Sequence, residues 1–174
     1  MEKIKIGISS CLLGKPVRYD GGHRHDGYIT DILGQYAEWF PVCPEAECGL
    51  GVPREAMRLV GTSEKQRLVT INSGLDRTEV LLAWIDKRLP ELESENLSGF
   101  IFKSKSPSSG LTNVIVYTPS GVPTAEASGL FARAFVTHFP DIPVIDDSQF
   151  HDSCTREDFI KRVFSLCESP LRGC

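Results

Sequence analysis

The sequence lacks any apolar run of the roughly 18 residues that a membrane-spanning helix needs, and its first residues contain no stretch typical of a signal peptide. It also lacks a strong excess of one charge, since 19 Lys and Arg face 23 Asp and Glu for a net charge of −4. This balance argues against a protein whose main task is to hold long nucleic acid through its phosphates. Internal repeats and low-complexity tracts are absent as well. We therefore expect a cytoplasmic protein that is not bound to membranes, either a monomer or a small homo-oligomer.

The composition is that of an ordinary globular protein. The chain has 174 residues, of which 41% are hydrophobic and 24% are charged, and this excludes disorder, collagen and coiled coil. Short β-branched runs alternate with amphipathic helical patterns, which favours parallel strands joined by helical crossovers. The pattern predicts a single Rossmann-like α/β domain over residues 1–168, with a mostly parallel sheet and helices on both faces. A flexible tail is expected over residues 169–174.

The predicted elements follow from periodicity. Runs typical of strands cover residues 3–8, 39–42, 67–71, 99–103, 114–117 and 142–145, of which the first, second, fourth and last look most like one sheet. Helical spacing covers residues 26–38, 76–95 and 129–139, and a fourth helix is expected to open at Thr155 with a capping box to Asp158. Pro90 lies inside the second helical pattern, so a kink or a split is expected there.

Three loops with unusual chemistry each follow a predicted strand, over residues 9–22, 43–55 and 103–110. Because ligands of open α/β sheets bind at the carboxyl ends of the strands, we expect these loops to converge. Cys43 and Cys48 have a chelating spacing, and Cys11 lies on the neighbouring loop. The alternatives are a zinc site, an iron–sulfur site or buried free cysteines, and in a reducing compartment metal binding or catalysis is favoured over disulfides.

The other polar residues of these loops have a functional and a structural interpretation. Glu45 is a candidate general base, or else a surface carboxylate. The loop 103–110 is a possible anion cradle or an ordinary Ser- and Gly-rich loop. Arg18 and Asp20 could grip a heterocycle and its phosphate, or form a solvated turn. Arg54 and Arg58 are interpreted as a solvated helix face rather than as a ligand clamp.

The motifs Ser-Cys-Leu-Leu-Gly with Arg-Tyr-Asp-Gly, Cys-Pro-Glu with Gly-Leu-Gly-Val-Pro-Arg-Glu, and Lys-Ser-Lys-Ser-Pro-Ser resemble the thiouracil and 4-thiouridine desulfidase family over about residues 4–165. This resemblance implies an α/β domain that carries a [4Fe-4S] cluster on three cysteines, with one open iron that takes the sulfur of a thiolated uracil. It further implies metal ligands at Cys11 and Cys43.

One position departs from that pattern. Many relatives have a cysteine ligand in the third motif, where this chain has Ser109. We therefore expect Cys48 to supply the third thiolate. Glu45, Ser106 and Ser108 are the expected catalytic residues. The expected substrate contacts are Arg18, Asp20, Lys103 and Ser109.

The expected reaction is a non-redox hydrolysis that converts a thiolated uracil compound, such as thiouracil or 4-thiouridine monophosphate, into the oxo base and sulfide. Some relatives carry a second, RNA-associated domain, for which this chain leaves no room. A free base or nucleotide is therefore favoured over tRNA. Desulfidation of 4-thiouridine in tRNA, an iron–sulfur electron carrier and a zinc or nucleotide-binding module stay open as alternatives.

Overall fold

The computed structural model describes residues 3–168, and four of its strands form a parallel sheet. These strands are β1 (Ile4–Ser9), β2 (Ala37–Val42), β5 (Gly99–Phe102) and β8 (Val144–Asp146). Their order across the sheet is β2-β1-β5-β8, and every neighbouring pair is parallel. They are the four segments whose sequence looked most like one sheet. The α/β prediction is thereby confirmed.

A second sheet of mixed direction was not predicted. It contains β3 (Met57–Gly61), β4 (Gln66–Thr70), β6 (Val114–Tyr117) and β7 (Pro123–Ala127) in the order β4-β3-β6-β7. The pairs β3–β4 and β6–β7 are antiparallel, whereas β3–β6 is parallel. β7 escapes sequence analysis because its small and polar residues make it a largely exposed edge strand, with no alternation of buried and exposed positions.

The helices differ from prediction mainly at their ends. They are α1 (Gly27–Leu33), α2 (Pro44–Glu47), α3 (Thr78–Ser94), α4 (Leu130–His138), α5 (Asp147–Phe150) and α6 (Ser153–Cys167), with a short 3₁₀ helix at Ser10–Leu13. The segment 26–38 is shorter than predicted because β2 begins at Ala37. α3 continues through the exposed Pro90 and is not split. The α6 cap is Asp152, whose carboxylate accepts from the Thr155 amide at 2.8 Å, so the capping box predicted from Thr155 is wrong.

The parallel sheet is buried on both faces. On one face Ile6 and Ile8 pack with α1 and with Phe159 of α6. On the other face Phe100 and Phe102 pack with α3, α4 and the inner face of the mixed sheet. The alternation within β5 sends Ile101 to the first cluster and its two Phe neighbours to the second, as the two-residue period of a strand requires. Helices therefore cover one face, and helices with the mixed sheet cover the other.

This topology determines where a ligand can bind. The chain passes from β1 to β2 on one side of β1 and returns later to β5 on the other side, so the strand order reverses at β1. Loops that leave the carboxyl ends of strands diverge at such a point and leave a crevice. Among residues 3–168, none of the helices has the length and apolar character that crossing a bilayer requires.

Candidate functional site

A cavity of about 380 Å³ lies at the reversal of strand order. All three loops predicted from the sequence contribute to its lining: the 3₁₀ helix and loop after β1, the start of α2 after β2, and the loop 103–109 after β5. Ala56 and Met57, at the beginning of the mixed sheet, close another side. The predicted convergence of the loops is therefore observed. A volume of this size is enough for a small organic ligand.

We call one side of the cavity the thiol wall, which consists of Cys11, Cys43, Ser10 and Ser109. Cys11 is 8% exposed, and burial raises the pKa of its thiol to about 11, although the nearby Lys103 ammonium opposes the shift. Burial likewise raises the pKa of Cys43, whose amide donates to Glu47 Oε1 at 2.8 Å. Two protonated thiols thus face the cavity in the free protein. Thiolates are soft ligands that suit zinc and iron–sulfur centres.

We call a second part of the lining the carboxylate wall, which consists of Glu45, Arg54, Ser106 and Ser108. Ser108 Oγ donates to Glu45 Oε1 at 2.9 Å and lies 3.1 Å from Ser106 Oγ. The other carboxylate oxygen, Oε2, accepts from Arg54 Nε at 3.0 Å and from Arg54 Nη2 at 2.7 Å. Both Glu45 oxygens are therefore engaged. The Arg54 contact is a charge-assisted pair in a largely buried place, and it fixes the orientation of the Glu45 carboxylate.

Arg54 is the main site residue that sequence reasoning missed. Its Nη1 donates to the carbonyl of Val17 at 3.0 Å and to that of Gly51 at 2.9 Å, so one guanidinium connects the first loop, the second loop and Glu45. The predicted helix face does not exist, because Arg54 lies in a loop and Arg58 lies on β3. An available signal was the absence of helical apolar spacing around Gly51 and Pro53.

The third loop is held against the start of α4. The carbonyl of Ser108 accepts from the amides of Phe131 at 2.9 Å and Ala132 at 3.1 Å. Gly129 makes this approach possible, since a Cβ at that position would lie 2.6 Å from the Ser108 backbone. The positions of Ser106, Ser108 and Ser109 are thus set by a helix that lies outside the three sequence motifs.

Cys48 is not brought to the cavity. Its thiol lies 3.4 Å from the carbonyl oxygen of Glu45, to which it donates, and its side chain packs against the apolar cluster beneath α3. α2 is a single turn, so Cys43 at its beginning and Cys48 at its end project in different directions. Across residues 3–168, no three Cys, His, Asp or Glu side chains lie close enough to hold one metal ion. Two of the three thiols expected to bind the cluster therefore line the cavity, and the third does not.

Some of the predicted substrate contacts line the cavity, and one of them does not. Arg18 lines the cavity, and its Nε is buried without a hydrogen bond, whereas Asp20 lies outside the cavity and accepts from the Gly22 amide within a turn. Lys103 lines the cavity as well, but its ammonium is 2.7 Å from Asp147 Oδ2. Lys103 is thus held by a close ion pair, and Arg18 keeps a longer contact of 3.6 Å between its Nε and Asp20 Oδ1. Arg24 and the exposed Lys105 also line the cavity, and neither forms an ion pair with any acid among residues 3–168.

A sequence model of the 2-thiouracil desulfurase family matches residues 6–147, which include every residue that lines the cavity. The chain belongs to the 2-thiouracil desulfurase family. Among solved structures it is similar to the [4Fe-4S]-dependent thiouracil desulfidase TudS, with 30% sequence identity and a TM-score of 0.66. The similarity covers 90% of this chain and 99% of that one. No curated protein sequence gives a significant match.

Family membership agrees with the position of the cavity. Except for Ser109, which directly follows the third motif, the residues of the thiol wall and of the carboxylate wall come from the motifs on which the resemblance rested. They meet at the sheet edge where α/β proteins bind ligands. The desulfurase match ends at residue 147, so most of α5 and all of α6 lie outside it. Those helices cover the far end and one face of the parallel sheet.

Proposed function

We propose that this chain is a desulfidase that hydrolyses thiolated uracil compounds with the help of a [4Fe-4S] cluster. The reaction replaces the thiocarbonyl sulfur by the oxygen of water, releases sulfide and transfers no net electrons. The observation that carries this proposal is that two thiols and a carboxylate with hydrogen bonds to both of its oxygens line a single cavity. The structurally similar desulfidase TudS depends on such a cluster, which supports the choice of cofactor.

The donor chemistry of the thiol wall fits an iron–sulfur centre. Cys11 and Cys43 come from adjacent parallel strands, β1 and β2, and both thiols face the same cavity. Their raised pKa values mean that cluster binding must remove protons from them, as metal binding to thiols does in general. When bound, the cluster would supply a Lewis-acidic iron that polarises the carbon–sulfur bond.

The carboxylate wall would handle the protons of the attacking water. In the free protein the Ser108 hydroxyl donates to Glu45, so a water molecule beside Ser108 can pass a proton to the serine oxygen while the serine proton moves to Glu45 Oε1. Ser106 extends this chain by one hydroxyl. Arg54 keeps Glu45 oriented before the reaction. Arg18, whose Nε has no hydrogen bond, would contact the uracil oxygen or developing charge.

A second cavity supports a nucleotide, such as 4-thiouridine monophosphate, as the substrate. It has a volume of about 590 Å³ and shares Met57, Lys105 and Pro107 with the first. Arg58 and Lys105 line it, and neither forms an ion pair with an acid among residues 3–168, although the Glu126 carboxylate borders the same space. These cations would bind a phosphate while the base enters the first cavity. The net charge of −4 favours such a small ligand over tRNA.

The first experiment tests the reaction. The protein is reconstituted with iron and sulfide under anaerobic conditions and mixed with 4-thiouridine monophosphate in ¹⁸O-labelled water, and the thione absorbance, the released sulfide and the mass of the product are measured. The proposal predicts loss of the thione band, about one sulfide per base and one ¹⁸O in the product. A cluster that cycles between redox states without converting the base would instead indicate an electron carrier.

The second experiment tests the substrate. Arg58→Ala removes a cation from the second cavity, and Arg67→Ala, at an exposed position on β4 paired with Asp76, serves as the matched control. We expect Arg58→Ala to raise KM for 4-thiouridine monophosphate about tenfold and to leave free 4-thiouracil unaffected, because only the nucleotide reaches this residue. Equal effects on both substrates would argue against a phosphate site there. Faster turnover of thiolated tRNA than of the monophosphate would reverse the substrate assignment.

A further inference from the structure

The two thiols of the thiol wall are too few for a cluster that leaves only one iron open. Cys48 donates to a backbone carbonyl outside the cavity, and no third Cys, His, Asp or Glu joins Cys11 and Cys43 in the part of the chain that the structure describes. A third protein ligand must therefore come from another kind of side chain. The cavity offers hydroxyl groups in abundance.

Most of these hydroxyls are already used. Ser9 accepts from the Lys103 amide, and Ser104 accepts from the Lys103 ammonium. Ser106 and Ser108 contact each other, and Ser108 donates to Glu45. Among the cavity serines, Ser10 and Ser109 are the two whose hydroxyls form no hydrogen bond with any of residues 3–168. Neither oxygen is among the fully buried polar atoms without a partner, so both hydroxyls are open to the cavity and available to a ligand.

Ser109 is placed better than Ser10 to complete a set with the two cysteines. It is 4% exposed and belongs to the loop after β5, so the loops after β2, β1 and β5 would each contribute one ligand from a different direction. Ser10 precedes Cys11 in a 3₁₀ helix, where successive side chains point about 120° apart. Cys11 and Ser10 therefore cannot easily serve one small centre together.

The backbone around Ser109 is rigidly held. Its amide donates to Ser106 Oγ at 3.1 Å, and the next amide, that of Gly110, donates to the Ser106 carbonyl at 2.7 Å. The contact of α4 with the Ser108 carbonyl fixes the preceding residue. A side chain on such a support presents its hydroxyl in a constant place, which is what a ligand position needs.

We propose that Ser109 Oγ is the third protein ligand of the cluster, so that two thiolates and one alkoxide bind its irons. The inference rests on the proposed function. On binding, the serine O–H bond is replaced by an O–Fe bond and the hydroxyl proton passes to solvent, without transfer of electrons. Oxygen donors such as carboxylate and phenolate bind protein iron in other settings, so the donor atom is chemically suitable.

The test compares cluster retention and spectra in anaerobically reconstituted variants. Iron and acid-labile sulfide per chain are measured before and during a chelator challenge, and the reduced samples are examined by electron paramagnetic resonance. Ser109→Ala is expected to lose iron at least about tenfold faster than the unmodified protein. Ser109→Cys is expected to retain iron at least as well, with stronger visible absorption and a changed resonance because a thiolate replaces the alkoxide. Cys48→Ser is expected to match the unmodified protein.

Each contrary result identifies a different error. Loss of iron in Cys48→Ser with retention in Ser109→Ala would return the third position to Cys48, and loss in Ser10→Ala alone would assign it to Ser10. An unchanged spectrum in Ser109→Cys would overturn the inference even if Ser109→Ala were unstable. All of these outcomes leave the desulfidase proposal intact, whereas an unmodified protein that binds no iron would overturn both.

Discussion

The two walls of the cavity differ in how fully their polar groups are satisfied. On the carboxylate wall, Glu45 has donors on both oxygens, and Arg54 also binds two backbone carbonyls. On the thiol wall, Cys11 and Cys43 carry raised pKa values because of burial, and Ser109 has an unpaired hydroxyl. One wall is organised before any ligand binds, whereas the other has the donor atoms of a ligand set. The difference suggests a division of labour between proton handling and cofactor binding.

The largest expected effect comes from Glu45→Gln, which keeps the shape of the side chain and removes its charge. We expect kcat to fall by about 10²- to 10⁴-fold because the amide cannot accept the proton passed through Ser108. The matched control is Glu55→Gln, an exposed carboxylate that binds Ser73 away from the cavity. Turnover of Glu45→Gln within a few-fold of the control would remove Glu45 from the reaction.

Arg54→Ala tests whether the carboxylate wall depends on its counter-charge. The substitution leaves Glu45 largely buried without its cation, and we expect a loss of about 3 kcal/mol in the free energy of unfolding, together with lower kcat. Urea unfolding at pH 7 measures the first effect. Arg54→Lys should recover part of the stability but not the contacts with both loops. A variant as stable as the unmodified protein would mean that the pair does not organise the wall.

Gly129→Ala asks whether α4 positions the third loop, which contributes to both walls. The added Cβ would lie 2.6 Å from the Ser108 backbone, and we expect a cost of about 1–3 kcal/mol in unfolding free energy, with reduced turnover. Gly27→Ala is the control, because its Cβ would meet only one atom at 4.0 Å. Full activity in Gly129→Ala would show that the loop can shift without consequence.

The smallest expected effect concerns the ion pair behind the thiol wall. Burial opposes ionisation of Asp147, but its hydrogen bonds with Lys103 and Ser104 lower its pKa below the ordinary value of an aspartate. Asp147→Asn should therefore cost about 1 kcal/mol of unfolding free energy at pH 7. Because the folded-state pKa is depressed, this difference should persist above about pH 4 and disappear as the pH falls through the folded-state value. A difference independent of pH would exclude a role for the charge.

The parallel sheet was predictable and the mixed sheet was not, for a physical reason. Buried strands such as β1 and β5 are rich in isoleucine or phenylalanine, and their helices have clear apolar spacing. The strands β3 and β7 contain Arg58, Glu126 and small residues, so their partners are determined by long-range pairing that no local pattern reveals. Consequently the sequence predicts strands at residues 67–71 and 114–117 but does not predict the second sheet to which both of them belong.

The candidate site, like the fold, could be predicted from the sequence only in part. Cys11, Cys43, Glu45 and the third-loop serines could be found because each directly follows a strand whose end faces the ligand. The positions of the Cys48 and Arg54 side chains could not be predicted, since spacing along the chain gives neither the direction of a thiol after a single helical turn nor the reach of a guanidinium across two loops. Asp20 was misjudged for a related reason, because its side chain closes a local turn.

The central claim is that the two walls have separate tasks. The most direct measurement is the iron content and turnover of Glu45→Gln beside those of Cys43→Ala, both reconstituted under identical anaerobic conditions. The account predicts that Glu45→Gln retains iron and sulfide at the level of the unmodified protein and loses turnover, whereas Cys43→Ala fails to retain the cluster. Loss of iron in Glu45→Gln, or full retention in Cys43→Ala, would contradict it.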